Sequence, residues 1–336
     1  MSLDGAFGRL DAIMRITLRK FFFGAALAAL LLAGGVVGAI QLRWKRTFDA
    51  PYPSIAASTD PAIIEQGRYL AYGPAGCAYC HLPREEWSTL ARGAMPPLTG
   101  HHLFRLPFGE LYSPNITPDA ETGIGRRTDG ELARVLRHNV RADGRAAFPL
   151  MSYGQMSDAD LTAVISFLRS QPPARLAVPD HHLSMLGKAL MAFAIAPETS
   201  AEPPQQVSPA GPGAVRGEYL ANSVSSCVEC HTDRDPRSGS FVGPKFAGGQ
   251  RMDLAADSTK VAVPPNLTPD PKTSPIGRWD EDVFVSRFRV GETVAGTPMP
   301  WGAYARMNDG DLRSVYRYLR SLPPVEHETG APLQEK

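Results

Sequence analysis

Four cysteines occur in 336 residues, and all four sit in two short runs: Cys77-Ala78-Tyr79-Cys80-His81 and Cys227-Val228-Glu229-Cys230-His231. A C-x-x-C-H run can attach a c-type haem. Two thiols one helical turn apart can add to the two vinyl groups of one porphyrin, and the next histidine reaches the iron from the same face. A disulfide scaffold would scatter its cysteines, and a zinc site needs no histidine directly after each pair. The expectation is two covalently bound haem c groups, held by Cys77, Cys80, Cys227 and Cys230, with His81 and His231 as the proximal ligands.

The opposite axial position decides what such a centre does. A methionine closes the iron and raises its potential, whereas an empty position admits oxygen or peroxide. The second half offers Met299, in Thr297-Pro298-Met299-Pro300-Trp301, a loop that its prolines hold extended. The first half offers Met151, in Phe148-Pro149-Leu150-Met151-Ser152-Tyr153, as its equivalent, although this loop is three residues shorter to the following Asp160-Leu161. Met307 is an alternative that reads as core, and Met156 occupies the matching place. His138, His101, His102 and Met95 are further candidates in the first half. The His181-His182 pair reads as a solvated part of a connector.

The elements that must position these residues come in duplicate. Gly67-Arg68-Tyr69-Leu70-Ala71 recurs as Gly217-Glu218-Tyr219-Leu220-Ala221, at an offset of 150. Pro114-Asn115-Ile116-Thr117-Pro118-Asp119 recurs from Pro265 to Asp270 at 151, Ile124-Gly125-Arg126 from Ile276 at 152, and Asp160-Leu161 as Asp311-Leu312 at 151. Each half reads as helical. Asp60 caps a helix with Pro61 first, Thr128 and Glu131 form a capping box, and Ser157 and Asn308 cap apolar-striped last helices that Pro172-Pro173 and Pro323-Pro324 stop. The expected fold is all-α. It comprises two tandem domains on the plan of a class I cytochrome c, at 60–173 and 213–326, a connector at 174–212 and a tail at 327–336. In the connector, His181 to Ala196 forms an amphipathic piece expected to pack on the domains.

Phe21 to Ile40 is an uncharged run of 20 residues, just long enough to span a bilayer. It is flanked by Arg15, Arg19 and Lys20 before and Arg43, Lys45 and Arg46 after, so charge only weakly favours a cytoplasmic N-terminus. Because c-type haem is attached outside the bacterial cytoplasm, the body after this segment is expected in the periplasm. No clean A-x-A site follows, so residues 1–48 read as an anchor, with a cleaved signal peptide as the competing reading. Gly34 and Gly38 form a G-x-x-x-G that arises easily in an Ala/Gly-rich segment. Residues 49–59 read as an extended linker. The formal charge of +1 hides an uneven distribution: residues 1–46 hold seven Lys/Arg against two Asp/Glu, leaving 28 against 32. A mildly acidic body argues against a nucleic-acid partner.

P-N-[IL]-T-P-D, the following I-G-R, M-[PS]-[YW] and a terminal D-L helix together resemble the cytochrome c subunits of membrane-bound bacterial alcohol and aldehyde dehydrogenases. The resemblance covers nearly all of residues 60–324. Those subunits typically carry three haem motifs where this chain has two. The resemblance implies a periplasmic electron carrier with His/Met haems at the bacterial inner membrane. It would be fed by a dehydrogenase or a quinol-oxidising complex, and drained by a soluble cytochrome or terminal oxidase. It further implies that Asn115 and Asn266 border the haems and that Arg126, Arg278 and Trp279 meet propionates or the pocket wall; a bland reading as loop and helix-start residues stays open. The rival function is a dihaem peroxidase with one open haem, against which the Met loop in each half speaks. A sulfur-compound dehydrogenase would use an extra cysteine as ligand, and none is left.

Overall fold

The structure is a computed structural model that describes residues 4–151, 153–198, 203–235, 239–254 and 259–336. Ser152 of the first methionine loop and the side chains of residues 4–17, Arg15 among them, lie outside the described residues. The chain divides into two compact units, one formed by the N-terminal helix with residues 184–195, the other by everything else.

Helix α1 (Asp4–Arg43) contains a 26-residue stretch, Leu18–Arg43, with an 18-residue window of mean hydropathy 2.2, long and apolar enough by length and composition to cross a bilayer. Its apolar side chains from Phe21 to Val37 are exposed, as a segment facing lipid requires. Gly34 and Gly38 have no neighbour within reach of an added Cβ.

The first half of the larger unit begins with α2 (Pro61–Tyr72). The Asp60 carboxylate accepts from the Ala62 amide at 2.8 Å, and Pro61 opens the helix, as the sequence requires. Next come α3 (Cys77–Cys80), a short α4 (Trp87–Ala91), α5 (Asp129–His138) and α6 (Asp158–Ser170). The capping box on α5 is formed at both bonds, Glu131 N to Thr128 Oγ1 and Thr128 N to Glu131 Oε2. Helices α2 and α6 cross at Gly67, where an added Cβ would lie 1.8 Å from the Ala163 carbonyl oxygen. Only a glycine lets the two backbones meet there. Leu70, Ala71, Leu161 and Ile165 fill the seam and are fully buried.

The second half repeats this plan. After α7 (Met185–Phe193), which belongs to the N-terminal unit, come α8 (Ala214–Tyr219) with a π-turn to Val224, α9 (Cys227–Cys230), α10 (Glu281–Val290), α11 (Trp301–Tyr304) and α12 (Asp309–Ser321). Gly217 meets the Ser314 carbonyl as Gly67 meets Ala163, again at 1.8 Å from an added Cβ. Residues 184–195 of the amphipathic piece thus belong to the N-terminal unit, while His182 and Leu183 at its start pair with Glu110 and Gly109 of the first half. Within its own unit α7 rests on α1, with Lys188 Nζ 5.3 Å from the Trp44 ring and Arg46 donating to the Ile195 carbonyl at 2.8 Å.

The all-α expectation needs a correction. Each half carries a three-stranded antiparallel sheet: β1 (Leu103–Leu106), β2 (Gly109–Tyr112) and β3 (His182–Leu183) in the first, β4 (Met252–Asp253), β5 (Lys260–Ala262) and β6 (Leu333–Glu335) in the second. β2 pairs with β3 through Glu110 and His182, and β5 with β6 through Val261 and Gln334. The connector and the tail thus return along the loop that follows each haem motif.

The two halves meet through a reciprocal pair of buried bonds. Tyr69 Oη donates to Asp311 Oδ2 at 2.7 Å, and Tyr219 Oη donates to Asp160 Oδ2 at 2.7 Å. The same phenols accept from the Asn308 and Ser157 amides at 3.2 and 2.9 Å. Equivalent residues play equivalent parts in both directions, as in an isologous two-fold interface. The halves differ in support. Arg216 Nη2 also donates to Asp311 at 2.9 Å, whereas its counterpart Gln66 reaches Asp160 only at 3.4 Å.

Tyr219→Phe is expected to cost about 2–3 kcal/mol, as a hydrogen bond to a buried charge does, and Tyr69→Phe less, because Asp311 keeps Arg216. Burial first, then the partner carboxylate, raises both phenols far above their usual value near 10. Above about pH 10 the unfolded tyrosines lose protons that the folded ones keep, so the stability they contribute falls as pH rises. Denaturant unfolding between neutral and alkaline pH should show a smaller alkaline loss in the double Phe variant.

Candidate haem centres

Each C-x-x-C-H run folds into one turn, α3 or α9, with its histidine at the C-terminal end donating its amide to the first cysteine's carbonyl, at 2.8 Å for His81 and 3.0 Å for His231. The histidine carbonyl accepts from Gly100 N or Gly248 N at 2.9 Å. These glycines have φ of +74° and +72°, and an added Cβ would meet the Pro114 or Pro265 backbone at 2.4 or 2.6 Å. That approach brings in the proline carbonyls. His81 Nδ1 lies 2.9 Å from Pro114 O, and His231 Nδ1 lies 3.0 Å from Pro265 O. A carbonyl only accepts, so Nδ1 carries the proton and Nε2 keeps its lone pair free for a metal. Burial lowers the basicity of both imidazoles, which favours the neutral form that ligates.

The asparagines pin the loop that follows each of those prolines. Asn115 Nδ2 donates to Thr122 Oγ1 at 3.1 Å and to Ala174 O at 2.8 Å, while its Oδ1 accepts from Thr117 N at 2.9 Å and Thr117 Oγ1 at 2.8 Å. Asn266 repeats the set with Thr273 at 3.1 Å, Val325 O at 2.7 Å, and Thr268 N and Oγ1 at 2.9 and 2.8 Å. Asp119 and Asp270 pin Thr122 and Thr273 from the other side at 2.7 Å through their amides. Arg126 is exposed, Arg278 donates to Lys272 O at 2.9 Å, and Trp279 packs against the core while its carbonyl accepts from Tyr316.

The methionine loops carry a feature that sequence reading passed over. Tyr153 donates to the Ala75 carbonyl, and Tyr304 donates to Ser225 O at 2.6 Å, so each loop is tied to the turn that precedes its haem motif. Burial raises both phenols well above 10, and the cysteines beside them add to the shift. Tyr304 lies near Cys227 and Cys230 of its own half and also near Cys80 of the other. Helix α11 packs on α3, and Arg306 reaches over to donate to Ala94 O at 3.0 Å. The two motifs therefore face a shared seam.

Both methionines nominated as distal ligands, Met151 and Met299, are half-buried, and Met156 and Met307 are core. The loops share one register. Leu150 N bonds Phe148 O at 2.7 Å as Trp301 N bonds Met299 O at 2.8 Å, and Met156 N bonds Tyr153 O as Met307 N bonds Tyr304 O. Phe148, not Met151, stands opposite Met299. The other first-half candidates make contacts elsewhere, although His102 Nδ1 is buried without a hydrogen-bond partner. His102 stacks on Trp87 at 5.0 Å, which stacks on Tyr79 at 4.5 Å; His101 packs edge-on to Tyr112; His138 Nδ1 faces Glu198 O; Met95 Sδ accepts from Arg68. His181 accepts from the Tyr112 amide and His182 lies in β3.

The residues fit covalent haem c. All four cysteines are free of disulfides, and burial pushes the Cys77 and Cys227 thiols up to about 12, so they stay protonated. Each motif presents two thiols and one imidazole Nε2 from a single turn, the set that a covalently attached porphyrin would need from the chain.

Asn266→Ala should destabilise the protein by about 1–3 kcal/mol, because it leaves the buried Thr268 amide unpaired and weakens the bonding of Val325 O. Asn266→Asp keeps the acceptor and should lose about half as much. Thermal unfolding of the holoprotein reads both, and Asn115 should match.

No protein-family model matches the chain. Individual proteins do. The chain is 31% identical over 322 residues to the cytochrome c subunit of a quinone alcohol dehydrogenase from Gluconacetobacter polyoxogenes, a match covering 86% of this chain and 64% of that one. It is 28% identical over 294 residues to the fructose dehydrogenase cytochrome subunit of Gluconobacter japonicus, covering 81% of this chain and 55% of that subunit. A diheme cytochrome c-type protein of Cereibacter sphaeroides is 27% identical over 266 residues, covering 75% of this chain and 83% of its own length. The chain thus spans less than two thirds of the length of these dehydrogenase subunits. With two C-x-x-C-H cradles of the same build, the chain is similar to the cytochrome c subunits of bacterial dehydrogenases.

Proposed function

We propose that the chain is a membrane-anchored dihaem electron carrier, built as two tandem class I cytochrome c domains after an N-terminal membrane helix. The observation that carries this reading is the shared seam: α11 of one half packs on the haem-motif helix α3 of the other, within one unit. Haem c, when bound, supplies a one-electron Fe(III)/Fe(II) couple. The residues supply the rest. Cys77, Cys80, Cys227 and Cys230 tether the two groups, His81 and His231 offer Nε2 to the irons, and Met299 closes the second. The first half offers Met151, three residues further along its loop than the register of Met299. Leu70, Leu98, Leu220 and Ile276, all fully buried, belong to the apolar core around the motifs that would exclude water.

The body faces the periplasm in this reading, because c-type haem is attached outside the cytoplasm. The relatives' names support a dehydrogenase as donor, with a quinol-oxidising complex as the other source. A soluble cytochrome or terminal oxidase accepts the electrons. No residue set in the described chain is needed for substrate chemistry.

Holoprotein purified from membranes should contain two haem c per chain and titrate as two one-electron couples. It should be reduced by a membrane dehydrogenase with its alcohol or sugar substrate. A single haem, or catalytic peroxide turnover without a dehydrogenase, would overturn the carrier reading.

A further inference from the structure

The two halves match bond for bond around the proximal histidine, and on the opposite side they differ at the place of Met299. From Phe148 to Ser157 the first loop runs in step with Met299 to Asn308. The backbone bonds from Leu150 and Trp301, the tyrosine ties of Tyr153 and Tyr304, the buried Met156 and Met307, and the caps Ser157 and Asn308 all coincide. In that register Phe148 occupies the place of Met299. Its ring is held there by Phe108, at the turn between β1 and β2, stacked at 4.8 Å and 16°. A phenyl ring has no lone pair to give an iron. Met151 falls on the register of Gly302, which has no side chain, so nothing in the second half does what Met151 would have to do.

We propose that the two centres are unequal on their distal sides: Met299 closes the second haem, whereas the first, with Phe148 in the ligand's slot, accepts a small exogenous ligand. The class is set by the chemistry of an open haem iron. A neutral diatomic such as carbon monoxide binds the ferrous form, and a small anion such as azide binds the ferric form. The stacked Phe148 and Phe108 rings offer no hydrogen-bond donor to an anion, which favours the uncharged diatomic. This inference rests on the dihaem reading. It does not require the chain to be an enzyme, since an open centre still cycles one electron.

The test uses full-length holoprotein in detergent. A haem assay first counts two groups per chain; a lower count would undo the dihaem reading itself and is scored separately. Carbon monoxide is then titrated into the reduced protein, and the near-infrared charge-transfer band of methionine-ligated ferric haem is measured on the oxidised protein. The expected results are one carbon monoxide per two haems and one such band per chain. Phe148→Met should abolish uptake and double the band, which also rules out uptake by damaged protein, and Met151→Leu should change neither. No uptake by the wild type overturns the proposal, and uptake that appears only in Met151→Leu assigns the bond to Met151.

Discussion

Everything in the larger unit depends on two helix crossings that tolerate no side chain. Gly67 and Gly217 let the first and last helices of each half touch backbone to backbone, with 1.8 Å to spare for a Cβ that would need about twice that. The crossing fixes the direction in which the first helix enters the haem motif. It also fixes the residue two places on, Tyr69 or Tyr219, against the last helix of the opposite half. One constraint therefore shapes each cradle and joins the two cradles together.

From that frame the chemistry follows by short steps. Buried asparagines pin the loops that follow Pro114 and Pro265, the carbonyls of these prolines set the imidazole tautomer, and the tautomer leaves Nε2 available. The tyrosines of the methionine loops tie the distal side to the same motif turn. Proximal and distal walls are thus anchored to one short stretch of chain.

The haem motifs, the duplication and the helix caps were legible in the sequence because each is a local pattern: a spacing, a capping residue, an apolar stripe. Asp60, Thr128, Ser157 and Asn308 cap where they should. The small sheets were not legible. Strands of two to four residues leave no periodicity, and β3 and β6 come from segments whose composition reads as connector and tail. The Tyr69–Asp311 bond joins residues 242 positions apart, and only the repeat hints that both ends matter twice. Likewise the type of residue suggested Met151 as the partner of Met299. The backbone register, visible only in hydrogen bonds and in the tyrosine ties, sets Phe148 opposite Met299. Counting by residue type follows chemistry, while the fold follows position.

The central claim is that two haem centres share one rigid body and exchange electrons within it. The direct measurement is rapid injection of less than one electron per molecule into oxidised holoprotein, followed by optical detection of redistribution between the two centres. The account predicts a fast, first-order redistribution whose rate does not change with protein concentration. A redistribution that slows in proportion to dilution would mean that electrons pass between molecules, and would contradict it.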